Sequence, residues 1–233
     1  MNCRNCNHTI SGKYCSHCGS PAVLKRVDGS YIFHELQHIL HFEKGILYTI
    51  KALLQKPGQN IRAFITEDRA RLVKPIIFII ITSVIYTAIS HFHGVEMKPA
   101  GVAAHTATVT IMAWIEAHYG YANIIMGIFI GYWLKLLFLK SRYNIFEILI
   151  MLCFVMGIGM LIFAIFAVVD ALLHINSHMV ATGAIMAYCT WAIGQFFNEK
   201  KVLSYVLAFI GYSVGMLSFW TVAVLTGIII DKL

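Results

Sequence analysis

Five apolar blocks, near 76–92, 120–139, 147–173, 179–197 and 203–229, dominate the chain after residue 75 and carry almost no charge. About 20 apolar residues in a helix cross roughly 30 Å of hydrocarbon. Each block therefore predicts a membrane-spanning helix. The third and fifth blocks exceed that length and are expected to tilt or run out into the interface. The segment 102–118 is weaker, because His105, Glu116 and His118 interrupt it. It reads as an interfacial helix or an extension of the second span.

Ahead of these blocks the pattern becomes amphipathic. Over 31–43, Ile32, Phe33, Leu36, Ile39 and Leu40 take one side of a helix, and His34, His38 and His41 take the other. Over 45–56, Ile46, Leu47, Ile50, Leu53 and Leu54 share a face, and Pro57-Gly58 stops the helix. Two short helices with basic polar faces just before a span are expected to lie on the inner leaflet or to pack against the bundle's cytoplasmic end. Pro75 falls at the first turn of the first span, where a missing N–H costs nothing.

Composition supports the same picture. Apolar residues make up 59% of the 233 positions and charged residues only 12%, about half the share of an ordinary globular domain. Such a chain cannot cover a water-facing surface, which excludes a soluble enzyme as the default and excludes disorder. The fold class expected is an all-α polytopic membrane protein with about five transmembrane helices and a small N-terminal zinc ribbon. Its organisation reads as 1–22 ribbon, 23–30 linker, 31–74 amphipathic helices and 75–233 transmembrane domain.

The formal charge is +7, and 11 of the 18 Lys and Arg residues precede residue 75. They are dispersed among apolar residues, so nucleic acid is not an expected partner. A basic segment before a span is a topology signal. With the N-terminus inside, inner segments hold sixteen basic residues and outer segments only Lys98 and Lys232. The orientation expected is N-terminus cytoplasmic and C-terminus outside. The opening Met-Asn-Cys-Arg has no apolar core, so no cleaved signal peptide is expected.

Cys3-x-x-Cys6 and Cys15-x-x-Cys18 are separated by eight residues. Four thiolates so placed can surround one Zn²⁺ tetrahedrally, leaving no open position for substrate. Disulfides are disfavoured on the reducing cytoplasmic side. One structural zinc per chain is the cofactor expected.

His34-Glu35-Leu36-Gln37-His38 matches H-E-x-x-H, two zinc-binding histidines with a general-base glutamate. No extended third-ligand pattern follows, since His41 and Lys44 stand where Gly and His would be required. Glu43, Glu67, Glu147 and Glu199 lie in no helical ligand motif. The residues His34, Glu35, His38 and His41 read first as the polar face of an interfacial helix. A metal or pH-sensing cluster and a catalytic metal site are the alternatives.

At the far end of the third span, Asp170, His174 and His178 are spaced i, i+4, i+8. If the helix continued they would share a face, and an ionisable residue in a span is a functional candidate. Asn176-Ser177 signals that the helix has ended, which favours polar residues at headgroup depth. Gly127-x-x-x-Gly131 and Gly211-x-x-x-Gly215 allow close helix approach. Packing within one chain is the expectation, and a homo-oligomer is the alternative.

His34-Glu35, Phe42-Glu43-Lys44-Gly45-x-Leu47-Tyr48-Thr49-x-Lys51, Pro57-Gly58-x-x-Ile61-Arg62 and Arg69-x-Arg71-x-x-Lys74-Pro75 resemble a bacterial family of uncharacterised membrane proteins. Its members join an N-terminal zinc ribbon to a multi-span domain of unknown function. The resemblance implies a bacterial cytoplasmic (inner) membrane and brings no activity.

The function expected is therefore a non-enzymatic membrane scaffold or adaptor. It would bind a protein partner through the ribbon or the amphipathic helices. The rivals are a cation or metal transporter using Asp170, His174 and His178, and a membrane zinc metalloprotease using His34-Glu35-x-x-His38.

Overall fold

The computed structural model describes residues 8, 9, 12, 14, 16, 17, 45–69, 71–93, 106–175 and 177–232. The chain divides into two compact units, Met1–His41 and Phe42–Leu233. In the first unit, Thr9 and Tyr14 form isolated β-bridges. The second unit is all helical among the described residues.

Two short helices open this unit: α1, Ile46–Gln55, and α2, Pro57–Thr66. Then come α3, Pro75–His93; α4, Ala107–Ala117; α5, Tyr119–Leu137; α6, Ile145–Leu173; α7, His178–Asn198; and α8, Val202–Lys232. Four of these, α5 to α8, are long and apolar enough to cross a membrane. The first apolar block is α3, whose apolar stretch Pro75–His91 falls just short of that length.

Pro57 ends α1 and also begins α2, so the expected stop is a junction. A proline at the first helical position gives up an N–H that has no partner there anyway. A side chain reinforces this junction, at carbonyls that also accept from the Lys56 and Asn60 backbone N–H groups. The Asn60 amide donates to the carbonyls of Ala52 at 2.8 Å and Lys56 at 3.0 Å. Helix α6 begins with a capping box. The Glu147 N–H donates to Asn144 Oδ1 at 2.9 Å, and the Asn144 N–H donates to Glu147 Oε2 at 2.8 Å.

Helix α6 is the centre of the unit, packed against α1, α2, α3, α5 and α7. Its buried side chains, Ile148, Met151, Leu152, Phe154 and Val155 among them, form the core. Helices α5, α6, α7 and α8 make a ring in which each packs on its two neighbours, α8 closing it against α5. Helix α3 lies outside the ring on α6. Ile76, Ile80, Val84, Ile128, Ile165, Leu217 and Ile229 stand exposed on the outer surface. So much exposed apolar surface suits hydrocarbon and not water, which supports the membrane reading.

Both Gly-x-x-x-Gly pairs pack within the chain. Gly127 and Gly131 face Met156 and Leu149 of α6, while Gly211 and Gly215 face Leu134 and Ile130 of α5. The segment 102–118 holds a separate helix, α4, broken from α5 at His118 (φ −121°, ψ 42°). Gly227 of α8 lies against Thr108 as Gly215 lies against Ile130. Twelve residues of α8 thus match twenty-two residues of α4 and α5, so α4 cannot continue along the α5 axis. Asp231 at the end of α8 holds α4 by its first turn, accepting from the Ala107 N–H at 2.5 Å and Thr108 Oγ1 at 3.3 Å. A carboxylate there also complements the helix dipole.

Candidate functional site

Two places in the helical unit concentrate polar groups. The first is the end where the α5–α6 and α7–α8 connections meet. Phe138 stacks on Phe197 at 3.8 Å, and Tyr143 lies 4.4 Å from Phe196, ring centre to ring centre. Lys140, Arg142, Lys200 and Lys201 surround these rings in sequence. Lys135 bends its ammonium to the Tyr143 carbonyl at 2.8 Å. The Arg142 guanidinium donates to Tyr143 Oη at 3.3 Å, a bond that holds its pKa above the ordinary value.

The α1–α2 hairpin clamps onto this end. The Gly58 N–H, an orphan donor in the first turn of α2, donates to Gln195 Oε1 at 2.8 Å. Arg62 donates to the Gln195 carbonyl and, at 3.1 Å, to the Phe196 carbonyl. Both carbonyls lie in the last turn of α7, where acceptors lack helical partners and the dipole favours a cation. Arg62 also pairs with Glu199 at 3.2 Å, and Gln59 donates to the same carboxylate at 2.9 Å. The Gln59 bond, then the Arg62 bond, hold Glu199 below the usual carboxylate pKa. Deeper in, Tyr188 Oη donates to the Leu53 carbonyl at 3.2 Å. The fully buried Thr49 accepts from the Val73 N–H at 3.1 Å. Of the two amphipathic helices expected, the one over 45–56 thus packs against the bundle, the second of the two placements open to it from sequence, and 31–43 lies outside the described residues.

The second place is a half-open cavity of about 180 Å³ lined by α5, α6, α7 and α8. Asn123, Thr182, Tyr212 and Trp220 line it, with His178 at the α7 start. Asn123 is only 3% exposed. Sequence reading overlooked Asn123, although an amide inside an apolar block is itself a signal.

Of the residues singled out from sequence, Asp170, His174 and His178 do not share a helix. Helix α6 ends at Leu173, and His174 takes a left-handed conformation (φ 51°). Asp170 Oδ1 accepts from the Ser177 N–H at 2.9 Å and from Ser177 Oγ at 2.5 Å. That carboxylate therefore ties the α6–α7 turn. The His178 ring instead turns toward Phe163, 6.1 Å away. Among the described residues no group of three His, Cys, Asp or Glu side chains could hold a metal ion. Glu147 and Glu199, weighed as distant zinc ligands, serve the capping box and the Arg62 pair. Cys3, Cys6, Cys15 and Cys18 lie outside the described residues, as do His34, Glu35, His38 and His41. In the N-terminal unit the rings of His8 and His17 stack with centroids 5.4 Å apart.

Residues 43–87 are similar to the family described as Protein of unknown function (DUF3667). The similar segment covers α1, α2 and most of α3, which includes the hairpin side of the clamp. No curated protein matches the chain, and no solved structure does.

Proposed function

We propose that this protein is a multi-pass membrane scaffold or adaptor carrying a zinc ribbon on the cytoplasmic face of a bacterial inner membrane. The observation that carries this reading is the clamp at Gly58 and Arg62. The chain that follows the N-terminal unit enters the bundle through a hairpin bonded to the last turn of α7 by backbone and side chain alike. That arrangement suits a protein whose task is to hold a small module at the membrane.

Supporting arguments fill in the rest. His8 lies two residues beyond Cys6 and His17 between Cys15 and Cys18. Their stacked rings support a fold that brings the two cysteine pairs together around one Zn²⁺. Helix α3 has 19 residues, or about 28 Å at roughly 1.5 Å per residue, close to the hydrocarbon thickness. We read it as a fifth span. Five spans put the termini on opposite sides, and the basic residues favour the N-terminus inside.

The test pairs topology with partner capture. Cysteine placed at Met179, which is 86% exposed, is expected to react with an impermeant maleimide from the outer side. Reaction from the cytoplasmic side alone would overturn the orientation. Photo-crosslinking in cells is expected to lose its protein adducts when residues 1–22 are deleted, with the membrane domain still inserted. An unchanged adduct pattern would overturn the adaptor reading.

A further inference from the structure

The cavity between α5, α6, α7 and α8 has a lining that a scaffold does not require. Met126 of α5, Met156 and Met160 of α6, Met186 of α7 and Met216 of α8 all face it. Half of the chain's ten methionines thus converge on one space, from all four helices of the ring. Methionine also fills gaps in ordinary cores; what sets this lining apart is that every helix of the ring contributes at least one methionine to the same space.

Two of the sulfurs are engaged by polar groups. Met160 Sδ accepts from the buried Asn123 amide at 2.9 Å, and Met186 Sδ accepts from Ser213 Oγ at 3.9 Å. A buried amide among spanning helices marks a functional position by default.

The chemistry of the lining selects its ligand. No carboxylate borders the cavity, so a hard divalent ion, which needs anionic oxygens, finds no match. Thioethers are soft donors and select Cu(I). They are neutral, and a single positive charge is the least costly to bring among them. Methionine's three rotatable bonds let the sulfurs close on an ion. The volume, about 180 Å³, is below the roughly 300–1,000 Å³ of organic-ligand pockets. His178, at the start of α7, also lines the cavity.

We propose that this cavity is a binding site for a soft monovalent cation, Cu(I), with the methionine thioethers of the four-helix ring as its donors.

The test uses the full chain in detergent with Cys3, Cys6, Cys15 and Cys18 changed to Ser and Cys153 and Cys189 changed to Ala, which removes competing thiols. This protein is expected to retain one equivalent of Cu(I) against bicinchoninate. With methyl-labelled methionine, Ag(I) as a probe is expected to shift the NMR signals of Met156, Met160 and Met186 and to leave Met179 unmoved. Changing Met156, Met160 and Met186 together to Leu, a volume-conserving swap, is expected to abolish retention at the same competitor concentration. An unaltered melting temperature verifies folding, and Met186→Leu alone serves if the triple variant is unstable. Failure of the parent to retain Cu(I), equal retention by the Leu variants, or Ag(I) shifts confined to Met179 would each overturn the proposal.

Discussion

Gly58 and Gln195 lie backbone to backbone, 137 positions apart in sequence. The Gly58 amide reaches the Gln195 side chain, and a Cβ added to Gly58 would fall 2.4 Å from the Gln195 carbonyl carbon. The absence of a side chain here is what lets α2 approach α7 closely enough for Arg62 to reach the Gln195 and Phe196 carbonyls.

Gly58→Ala is therefore expected to separate α2 from α7. Overpacking against rigid backbone costs about 1–3 kcal/mol, to be read as a lowered unfolding midpoint in detergent. Gly183→Ala is the control, since nothing lies within 4 Å of its added Cβ. There the helix gains about 0.8–1 kcal/mol in propensity. Equal behaviour of the two variants would contradict the close approach.

Arg62→Lys is expected to destabilise the hairpin although it keeps the charge. One ammonium cannot reproduce the fork that spans two carbonyls and the Glu199 carboxylate. Hydrogen exchange of α2 amides is the measurement, and faster exchange in the variant is the expected result. Wild-type exchange in Arg62→Lys would mean that charge alone suffices.

The Glu199 contacts carry a pH dependence of definite sign. Its pKa is lowered in the folded protein from an ordinary value of 4.5. The stabilisation it supplies is thus present above that value and lost as pH falls through the lowered one. Wild type is expected to lose more stability than Glu199→Gln on acidification from neutral pH through this window. Parallel melting curves for the two proteins across the window would exclude the linkage.

Gly215 of α8 meets the Ile130 backbone, with an added Cβ 2.4 Å from Ile130 Cα. Gly215→Ala is expected to open the ring between α5 and α8. A cysteine pair spanning these helices would then crosslink more slowly. An unchanged rate would show that the ring tolerates the methyl group.

Purified protein is expected to contain one zinc per chain, lost in the double variant Cys15→Ser, Cys18→Ser. Undiminished zinc would place the metal elsewhere. A second tightly held zinc that disappears in His34→Ala would restore the metalloprotease reading.

What the sequence by itself determined is the four long apolar helices. Long apolar blocks, a proline at each of two helix starts and an Asn-x-x-Glu cap act within a few residues of chain, so the α5 to α8 spans and the membrane class were legible. Even so, Pro57 was read as a stop, because the partner that makes α2 worth forming, the last turn of α7, lies far along the chain. Tertiary structure alone decided which faces meet. It put Gly215 on Ile130, joined Arg62 to Glu199, turned Asp170 to Ser177 instead of toward the histidines, and gathered five methionines from four helices around one cavity. The reason is physical: helix formation follows local spacing and backbone bonding. Helix pairing follows from shape and leftover polar groups, whose partners no local pattern names.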